Sequence, residues 1–416
     1  MKKRELNGLT SREIKLIRAL DEGAKALNRR GVSQTSLTEI AKRLGISRSA
    51  LYYYFEDQQD LVFQCYRRSC EQLTLRLNEA RRRSSGTFEA IEIFIESILN
   101  EDQPEFAVLS EPSFLRTDQR SMIFKLYDNL RTNLADILDE GINSKELRPC
   151  HSKLVASAII GLISWITKIH QTRDLSRNDL IKTIKSMLHS GIAADRSAPI
   201  HYTPFTLSPM SVPAWQAFDQ EVMLAARQEA FLSAASWLFN LKGVDATSLD
   251  EIAQRVGVTK KLIYHNIGDK QVLVDQCYRR AYNFYEDIGT RVHAYKGSRI
   301  DALSAAAHAL AEASMRSDIA PFRPFTGLES QPKAVSKKLR ESERHLTSLY
   351  LEIYKQGIAE GSLTKVDAGI PAMLLLLPGT VEWLPKWLES FSDADRARAP
   401  WELTELYRLG LRPLYP

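Results

Sequence analysis

The feature that most constrains this chain is an internal repeat with a period of about half its length. Residues 37–68 align without a gap on residues 249–280, at an offset of 212 positions, and half of the aligned residues are identical. So long a period indicates duplication of a whole domain arrangement, because solenoid repeats have periods of about 20–50 residues. In the first copy the identical residues are Leu37, Glu39, Ile40, Ala41, Arg43, Gly45, Tyr52, Asp57, Gln59, Leu61, Val62, Gln64, Cys65, Tyr66, Arg67 and Arg68.

Weaker echoes extend the repeat beyond these segments. Gly161 and Trp165 have the same spacing as Gly379 and Trp383. Between the halves, residues 194–216 hold four prolines among Ser and Thr, a composition typical of an extended linker. We therefore expect each half to consist of a small N-terminal domain, here called the head, and a larger domain, here called the body. The first head and body are expected at residues 1–68 and 69–193, the linker at 194–216, and the second head and body at 217–280 and 281–416.

Helical periodicity runs through nearly all of the remaining sequence. Apolar residues recur at spacings of three and four, as in Ile91, Phe94, Ile95 and Ile98, and no stretch alternates as a strand would. The chain of 416 residues is 44% hydrophobic and 26% charged, which is ordinary for a globular protein. Its most apolar runs are too short to span a membrane. The sequence predicts an all-α fold of two tandem units, without membrane association.

Each copy of the repeat contains start and stop signals for two short helices joined by a turn. Ser36 stands three residues before Glu39, which is the capping-box pattern. Gly45 should end the first short helix in a left-handed conformation, and Ser47 should cap the second. This order predicts a helix-turn-helix. The second copy repeats the pattern with Ser248, Glu251, Gly257 and Thr259.

The second short helix of each head is rich in side chains suited to DNA. Hydroxyl groups suit phosphate oxygens, and Arg and Lys suit guanine edges. Leu51 and Ile263 should face the core. The alternatives are a purely structural helical hairpin and, separately, Tyr52 and Tyr264 as core residues. The candidate DNA contacts are Ser36, Ser47, Arg48, Ser49, Tyr52, Tyr53, Tyr54, Ser248, Thr259, Lys260, Lys261, Tyr264, His265 and Lys270.

These residues resemble the TetR family of bacterial regulators over about fifty residues in each half. The pattern in the first copy is Leu37-x-x-Ile40-Ala41-x-x-x-Gly45-Ile46-Ser47-x-x-x-Leu51-Tyr52-Tyr53-Tyr54-Phe55, followed by Leu61. Two positions depart from the family. Its usual lysine is Gln58 in the first copy and Lys270 in the second, and the aromatic at Phe55 becomes Ile267. The resemblance implies a looser grip on the DNA backbone by the first head and a softer hinge at the second.

The resemblance also implies a transcriptional regulator, most simply a repressor that a small, mostly apolar effector releases from its operator. Apolar helices expected at Leu154–Thr167 and Val366–Leu384 would enclose the effector. The alternative for the tryptophans is ordinary core or interface packing. The candidate ligand-binding aromatics are Phe106, Trp165, Phe322, Phe325 and Trp383.

TetR-family proteins pair as homodimers, whereas this chain carries two heads. We therefore expect a monomeric intramolecular pseudo-dimer, with pairing of whole chains as the alternative. The two recognition helices differ, because Arg48-Ser49-Ala50 is replaced by Lys260-Lys261-Leu262. Arg and Lys do not substitute for one another in base recognition. The double-stranded operator should therefore be asymmetric.

Other functions are less well supported by the sequence. Enzyme motifs are absent, and neither a metal nor a cofactor is predicted. The cysteines lack metal-site spacing and no apolar leader follows Met1, so we expect reduced thiols in the cytoplasm. The net charge of +5 permits DNA binding without requiring it. The alternatives are an architectural DNA-binding protein with little sequence specificity and no effector, and a helical ligand-binding enzyme with degenerate heads.

Overall fold

Helices make up nearly all the regular structure of the chain. The computed structural model describes residues 10–32, 34–100, 103–169, 176–209, 216, 218–323, 333–366, 369, 374, 378–381 and 383–414. In these ranges no strand forms, apart from an isolated antiparallel bridge between Ala193 and Leu363. The predicted all-α architecture of two tandem units is confirmed. The chain divides into two compact units, residues 1–185 and 186–416.

The first unit begins with three short-to-medium helices and continues into a longer bundle. The helix α4 is shared by head and body, because it carries the end of the repeat and then packs on the two helices that follow it. The helices are α1 (Ser11–Arg30), α2 (Leu37–Leu44), α3 (Arg48–Tyr52), α4 (Gln58–Arg83), α5 (Thr87–Leu99), α6 (Thr117–Asn143), α7 (Ser152–Ile169) and α8 (Arg177–Ser190), the last of which crosses the boundary between the units.

The second unit opens with the same succession of helices. Its helix α12 takes the place of α4 and packs on both the head helix α9 and the body. The described helices are α9 (Gln220–Lys242), α10 (Leu249–Val256), α11 (Lys260–Asn266), α12 (Lys270–His293), α13 (Arg299–Met315), α14 (Lys333–Ala359), α15 (Leu384–Trp387) and α16 (Asp393–Leu409). Across the described part of the chain, no helix has the length and apolar character needed to cross a bilayer.

Identical residues of the repeat form the core of each head. Cys65 and Cys277 are buried there, and each thiol contacts a backbone carbonyl on the first helix of its own head. The distances are 3.8 Å from Cys65 to Leu20 and 3.7 Å from Cys277 to Leu232. Burial raises the pKa of both thiols to about 12. A thiol with so high a pKa stays protonated and unreactive at neutral pH. Both cysteines therefore act as small apolar core residues.

The described part of the expected linker lies along the second unit. The Tyr202 hydroxyl lies 3.1 Å from Nδ1 of His308, and its ring packs 5.2 Å from that of Trp401. Further on, Arg291 donates to the carbonyl of Thr206 at 3.0 Å, and Arg316 donates to that of Leu207 at 2.9 Å. Residues 202–207 are thus fixed to the second body by side-chain contacts, while most of residues 210–217 lie outside the described ranges.

Candidate nucleic-acid interface

The turn between the two short helices has the same geometry in both heads. Gly45 has φ 67° and Gly257 has φ 75°, both in the left-handed region. A Cβ atom at either position would meet nothing within 4 Å, so the backbone conformation and not lack of space favours glycine. Each glycine ends the preceding helix as the sequence predicts, and Leu51 and Ile263 are fully buried below the turn.

The predicted capping box is complete only in the second head. There, the Ser248 hydroxyl accepts from the backbone N–H of Glu251 at 3.1 Å, and Glu251 accepts from the backbone N–H of Ser248 at 3.0 Å. In the first head Ser36 accepts its bond from Glu39, but the Glu39 carboxylate is paired with two arginines, Arg30 and Arg43. The reciprocal half of the first box is therefore missing.

The caps of the second short helices also differ. Ser47 accepts from the backbone N–H of Ala50 at 3.2 Å, as predicted. Thr259 is the N-cap residue of α11, as predicted, but its hydroxyl makes no capping hydrogen bond. Threonine is a weaker N-cap residue than serine. The second recognition helix therefore begins without side-chain support.

The exposed face of α3 carries arginine and tyrosine side chains. Nη2 of Arg48 donates to the Tyr52 hydroxyl at 2.6 Å, and the guanidinium lies 5.3 Å from the centre of that ring. Tyr52 is 45% exposed and Tyr53 is 65% exposed. The guanidinium of Arg12 lies 4.6 Å from the Tyr53 ring, and Tyr54 meets the same ring edge-on. The first head thus presents a surface of cations and aromatic rings.

The exposed face of α11 carries a different set. Nζ of Lys260 lies 2.8 Å from a carboxylate oxygen of Asp250, on the preceding helix. Lys261 and His265 are exposed, and Tyr264 is 49% exposed. The exposure of Tyr264, like that of Tyr52, does not fit the alternative interpretation of these tyrosines as core residues.

The position at which the first head lacks the usual TetR lysine has a clear local role in both heads. Nε2 of Gln58 donates to the carbonyls of Val32 and Thr35, both at 2.8 Å, so this side chain fixes the loop between α1 and α2. Lys270 is half-buried, with Nζ 3.4 Å from the carbonyl of Asp245. Gln58 and Lys270 therefore both contact the loop between the first two helices of their heads.

An asparagine joins the first head to its body, and sequence reasoning assigned it no role. Nδ2 of Asn28, on α1, donates to the carbonyl of Phe106 at 2.8 Å, and Oδ1 accepts from the backbone N–H of Val108 at 2.9 Å. The side-chain amide thus donates to one backbone group of a body segment and accepts from another, two residues further on. The sequence pointed to this residue only through the repeat, because Asn28 and Asn240 are identical at the offset of 212 positions.

The second unit contains the same asparagine clamp. Nδ2 of Asn240 donates to the carbonyl of Pro321 at 2.9 Å, and Oδ1 accepts from the backbone N–H of Arg323 at 3.1 Å. The Arg323 side chain is buried and also donates to Oδ1 of Asn240 at 3.2 Å. A buried amide with both ends paired fixes the orientation of α9, the first helix of this head, relative to the body.

The described candidate ligand-binding aromatics are placed in separate parts of the two units. Trp165 is buried on α7, and Phe106 is half-buried at the first clamp. Phe322 is buried between Phe239 and Tyr278, with ring centroids 5.6 and 4.6 Å away. Trp383 is buried, donates to the carbonyl of Thr380 and packs on Phe391. Phe325 lies outside the described residues.

A cavity of about 520 Å³ lies where the second head meets its body. It is bounded by α9, α12, residues 207–209 and residues 318–319, and none of the candidate aromatics lines it. Its wall combines apolar side chains with three arginines and three carboxylates. The lining residues are Leu207, Ser208, Pro209, Glu229, Leu232, Gln276, Arg279, Arg280, Asn283, Phe284, Asp287, Arg291, Asp318 and Ile319.

The equivalent junction of the first unit is nearly filled. Its cavity measures about 30 Å³ and is lined by Leu20 and Arg68, the counterparts of Leu232 and Arg280. Phe106 contributes to this lining, as does Arg76, which donates to the carbonyl of Ser97 at 2.6 Å. A space this small holds about one water molecule.

Two helix-turn-helix units with exposed recognition helices, each on a helical body, define a class of DNA-binding regulators. The model of the tetR family of bacterial regulatory proteins matches the chain twice, at residues 19–65 and 231–277. A second model, the tetracyclin repressor-like C-terminal domain, matches residues 88–200. The chain belongs to the TetR family and carries two tandem TetR units.

Individual relatives match half of the chain or less. The chain is 23% identical over 189 residues to the fatty acid metabolism regulator protein of Bacillus subtilis (strain 168), covering 43% of the chain and 95% of that protein. It is 43% identical over 47 residues to the HTH-type transcriptional regulator AcrR of Shigella flexneri, covering 11% and 22%. The TetR-family regulator PfmR of Thermus thermophilus matches with a TM-score of 0.36 and 22% identity, covering 41% and 96%.

Replacing Asn240 with Ala should destabilise the second unit by about 1–3 kcal/mol, because a buried carbonyl and a buried N–H lose their partner. The measurement is urea denaturation of the full chain, followed by circular dichroism. Asn78→Ala is the control, since Asn78 is exposed on α4 and its loss should change stability by less than about 0.5 kcal/mol. Equal denaturation midpoints for Asn240→Ala and Asn78→Ala would contradict a structural role for the clamp.

Proposed function

We propose that this protein is a sequence-specific transcriptional regulator of the repressor type, acting in the cytoplasm and not an enzyme, which reads an asymmetric operator with two unlike recognition helices. The observation that carries the proposal is the exposed face of α3 and α11. Arg48 and Tyr52 lie on the exposed face of α3, and Lys260 lies on that of α11, beside Asp250 of the preceding helix α10. Each set can meet base edges or phosphates, and the two sets are chemically different.

The proposal extends to the number of chains on the DNA. One chain carries two complete heads, so a single chain can occupy two successive major grooves about 34–36 Å apart, as a homodimer does with two chains. A homodimer presents identical helices and favours a palindrome. Unlike helices favour half-sites of different sequence, so we infer that the chain works as a monomeric pseudo-dimer.

We further propose that a small effector binds the cavity of the second unit. The cavity touches both the head helix α9, through Leu232, and the connecting helix α12, through Phe284. It also includes Ile319, two residues before the carbonyl that Asn240 clamps. A ligand in this place can push on head and body together, which is what release of DNA requires.

The lining narrows the chemistry of the effector. Apolar side chains cover part of the wall. Arg279 also lines it, with a side chain that is 64% exposed and forms an exchangeable ion pair with Asp275 on its own helix. The effector we propose has an apolar part and an acidic group, a more amphipathic molecule than the sequence suggested. The similarity to a protein named for fatty acid metabolism agrees with such a ligand.

Arg48→Ala and Lys260→Ala should each weaken specific DNA binding by about 1–3 kcal/mol, since each removes one base-reading cation. Footprinting and titration with the selected operator measure the loss. Lys153→Ala is the control, because it removes an exposed positive charge from α7, away from the recognition helices. Unchanged binding in both single variants and in the double variant would refute base reading by these residues. Salt-sensitive binding without sequence preference would instead support the architectural alternative.

Light scattering of the protein bound to a short operator should give the mass of one chain per duplex, and sites selected from random DNA should have two different halves. The reason is that one chain supplies both heads. Two chains on a single operator would argue for pairing of whole chains. Perfect inverted repeats among the selected sites would rule out unlike half-sites.

Arg279→Glu should raise the concentration of an amphipathic acid needed to release the operator by about tenfold or more, because it reverses a charge on the cavity wall. Compounds found by thermal shift are then tested for operator release. The matched control is Arg67→Glu, the equivalent position in the first head, where the junction is nearly filled. Equal loss of release in both variants, or in neither, would place the effector elsewhere.

A further inference from the structure

Beside its recognition helix, the second head has an acidic residue that the first head lacks. Position 38, two residues after the N-cap of α2, is Thr38 in the first head and Asp250 in the second. The Asp250 side chain is 67% exposed and lies 2.8 Å from Nζ of Lys260, on the recognition helix. In the first head Arg48 bonds to Tyr52, on its own helix, and position 38 has no charge.

The ion pair itself contributes little to folding. Both partners are well exposed, and hydrogen bonding to Asp250 raises the pKa of Lys260, which keeps the amine charged. An exposed pair of this kind opens easily, because water screens it. Its importance therefore lies in binding, where a carboxylate near DNA repels phosphate oxygens and every base edge that offers only acceptors.

A carboxylate and an ammonium group so close together suit a C·G pair best, because adenine, the other base with an amino donor, places its N7 acceptor next to that donor and repels a carboxylate. The carboxylate accepts from the N4 amino group of cytosine, and the ammonium group donates to O6 or N7 of guanine. Thymine O4 and guanine O6 offer Asp250 no proton, so these bases are rejected at its position. Side chains 2.8 Å apart can address the same base pair or two neighbouring pairs.

We propose that Asp250 is a specificity-determining residue of the second head, which reads cytosine while Lys260 reads the adjacent guanine. This proposal rests on the proposed function. It makes the second head the more selective one, because the same carboxylate lowers its affinity for arbitrary DNA. The first head, with Thr38 and Arg48, binds DNA with less discrimination at the corresponding position.

The test is selection of operators from random duplexes by the full chain and two variants. Wild-type protein should select cytosine at one position of the second half-site. Asp250→Asn should shift that preference toward adenine, since an amide pairs with N6 and N7 of adenine. Asp250→Thr, which restores the residue of the first head, should lose about tenfold or more of the preference and bind random DNA more tightly.

Thr38→Asp is the matched variant in the first head, and it should weaken binding to random DNA. Asp250 and Thr38 are both exposed, and thermal unfolding verifies that each variant is folded. If wild type, Asp250→Asn and Asp250→Thr all selected the same sequence in the second half-site, the proposal would be overturned while the regulator function would stand. The same half-sites with uniformly tighter binding would also overturn it, since Asp250 would then be only a repulsive charge. Wild-type protein that selects no site would instead refute the proposed function.

Discussion

The asparagine clamp between head and body is the interaction on which the arrangement of each unit depends. Asn28 and Asn240 each use both ends of one amide to pair with the backbone of a body segment. Hydrophobic packing between α1 and α4, or between α9 and α12, is non-directional and leaves the head free to tilt. Two directed hydrogen bonds from one amide, which is half-buried at Asn28 and buried at Asn240, restrict that freedom, because tilting would leave polar groups without partners.

The junction between head and body differs in volume between the two units. In the first unit, Arg76 and Phe106 leave a space of about 30 Å³. In the second unit the space is about 520 Å³, and residues 207–209 of the segment between the repeats form part of its wall. The duplicated scaffold is thus the same in its clamp and different in its cavity.

The recognition helices are also alike in their buried residues and different in their exposed ones. Below the turn, Leu51 and Ile263 are buried equally, and the glycines before them adopt the same left-handed conformation. Above it, the exposed side chains have diverged, since surface residues are free to vary without cost to the core. Packing therefore holds two similar helices in place, while the charged side chains that they expose differ between the two heads.

The repeat, the helix-turn-helix and the buried positions could all be predicted from the sequence, because they depend on local signals. Glycine conformation, capping and helical periodicity act over a few residues, and duplication shows which of them recur. Thr259 occupies the N-cap position without the expected hydrogen bond from its hydroxyl. The box at Glu39 is incomplete, and its carboxylate is paired with Arg30 and Arg43, a side-chain choice that the capping pattern does not specify. The sequence by itself determined the all-α tandem architecture and the position of both recognition helices. Only the tertiary structure decided which side chains meet, as with Asn240 and Pro321 or Asp250 and Lys260, since these contacts depend on how separate helices pack.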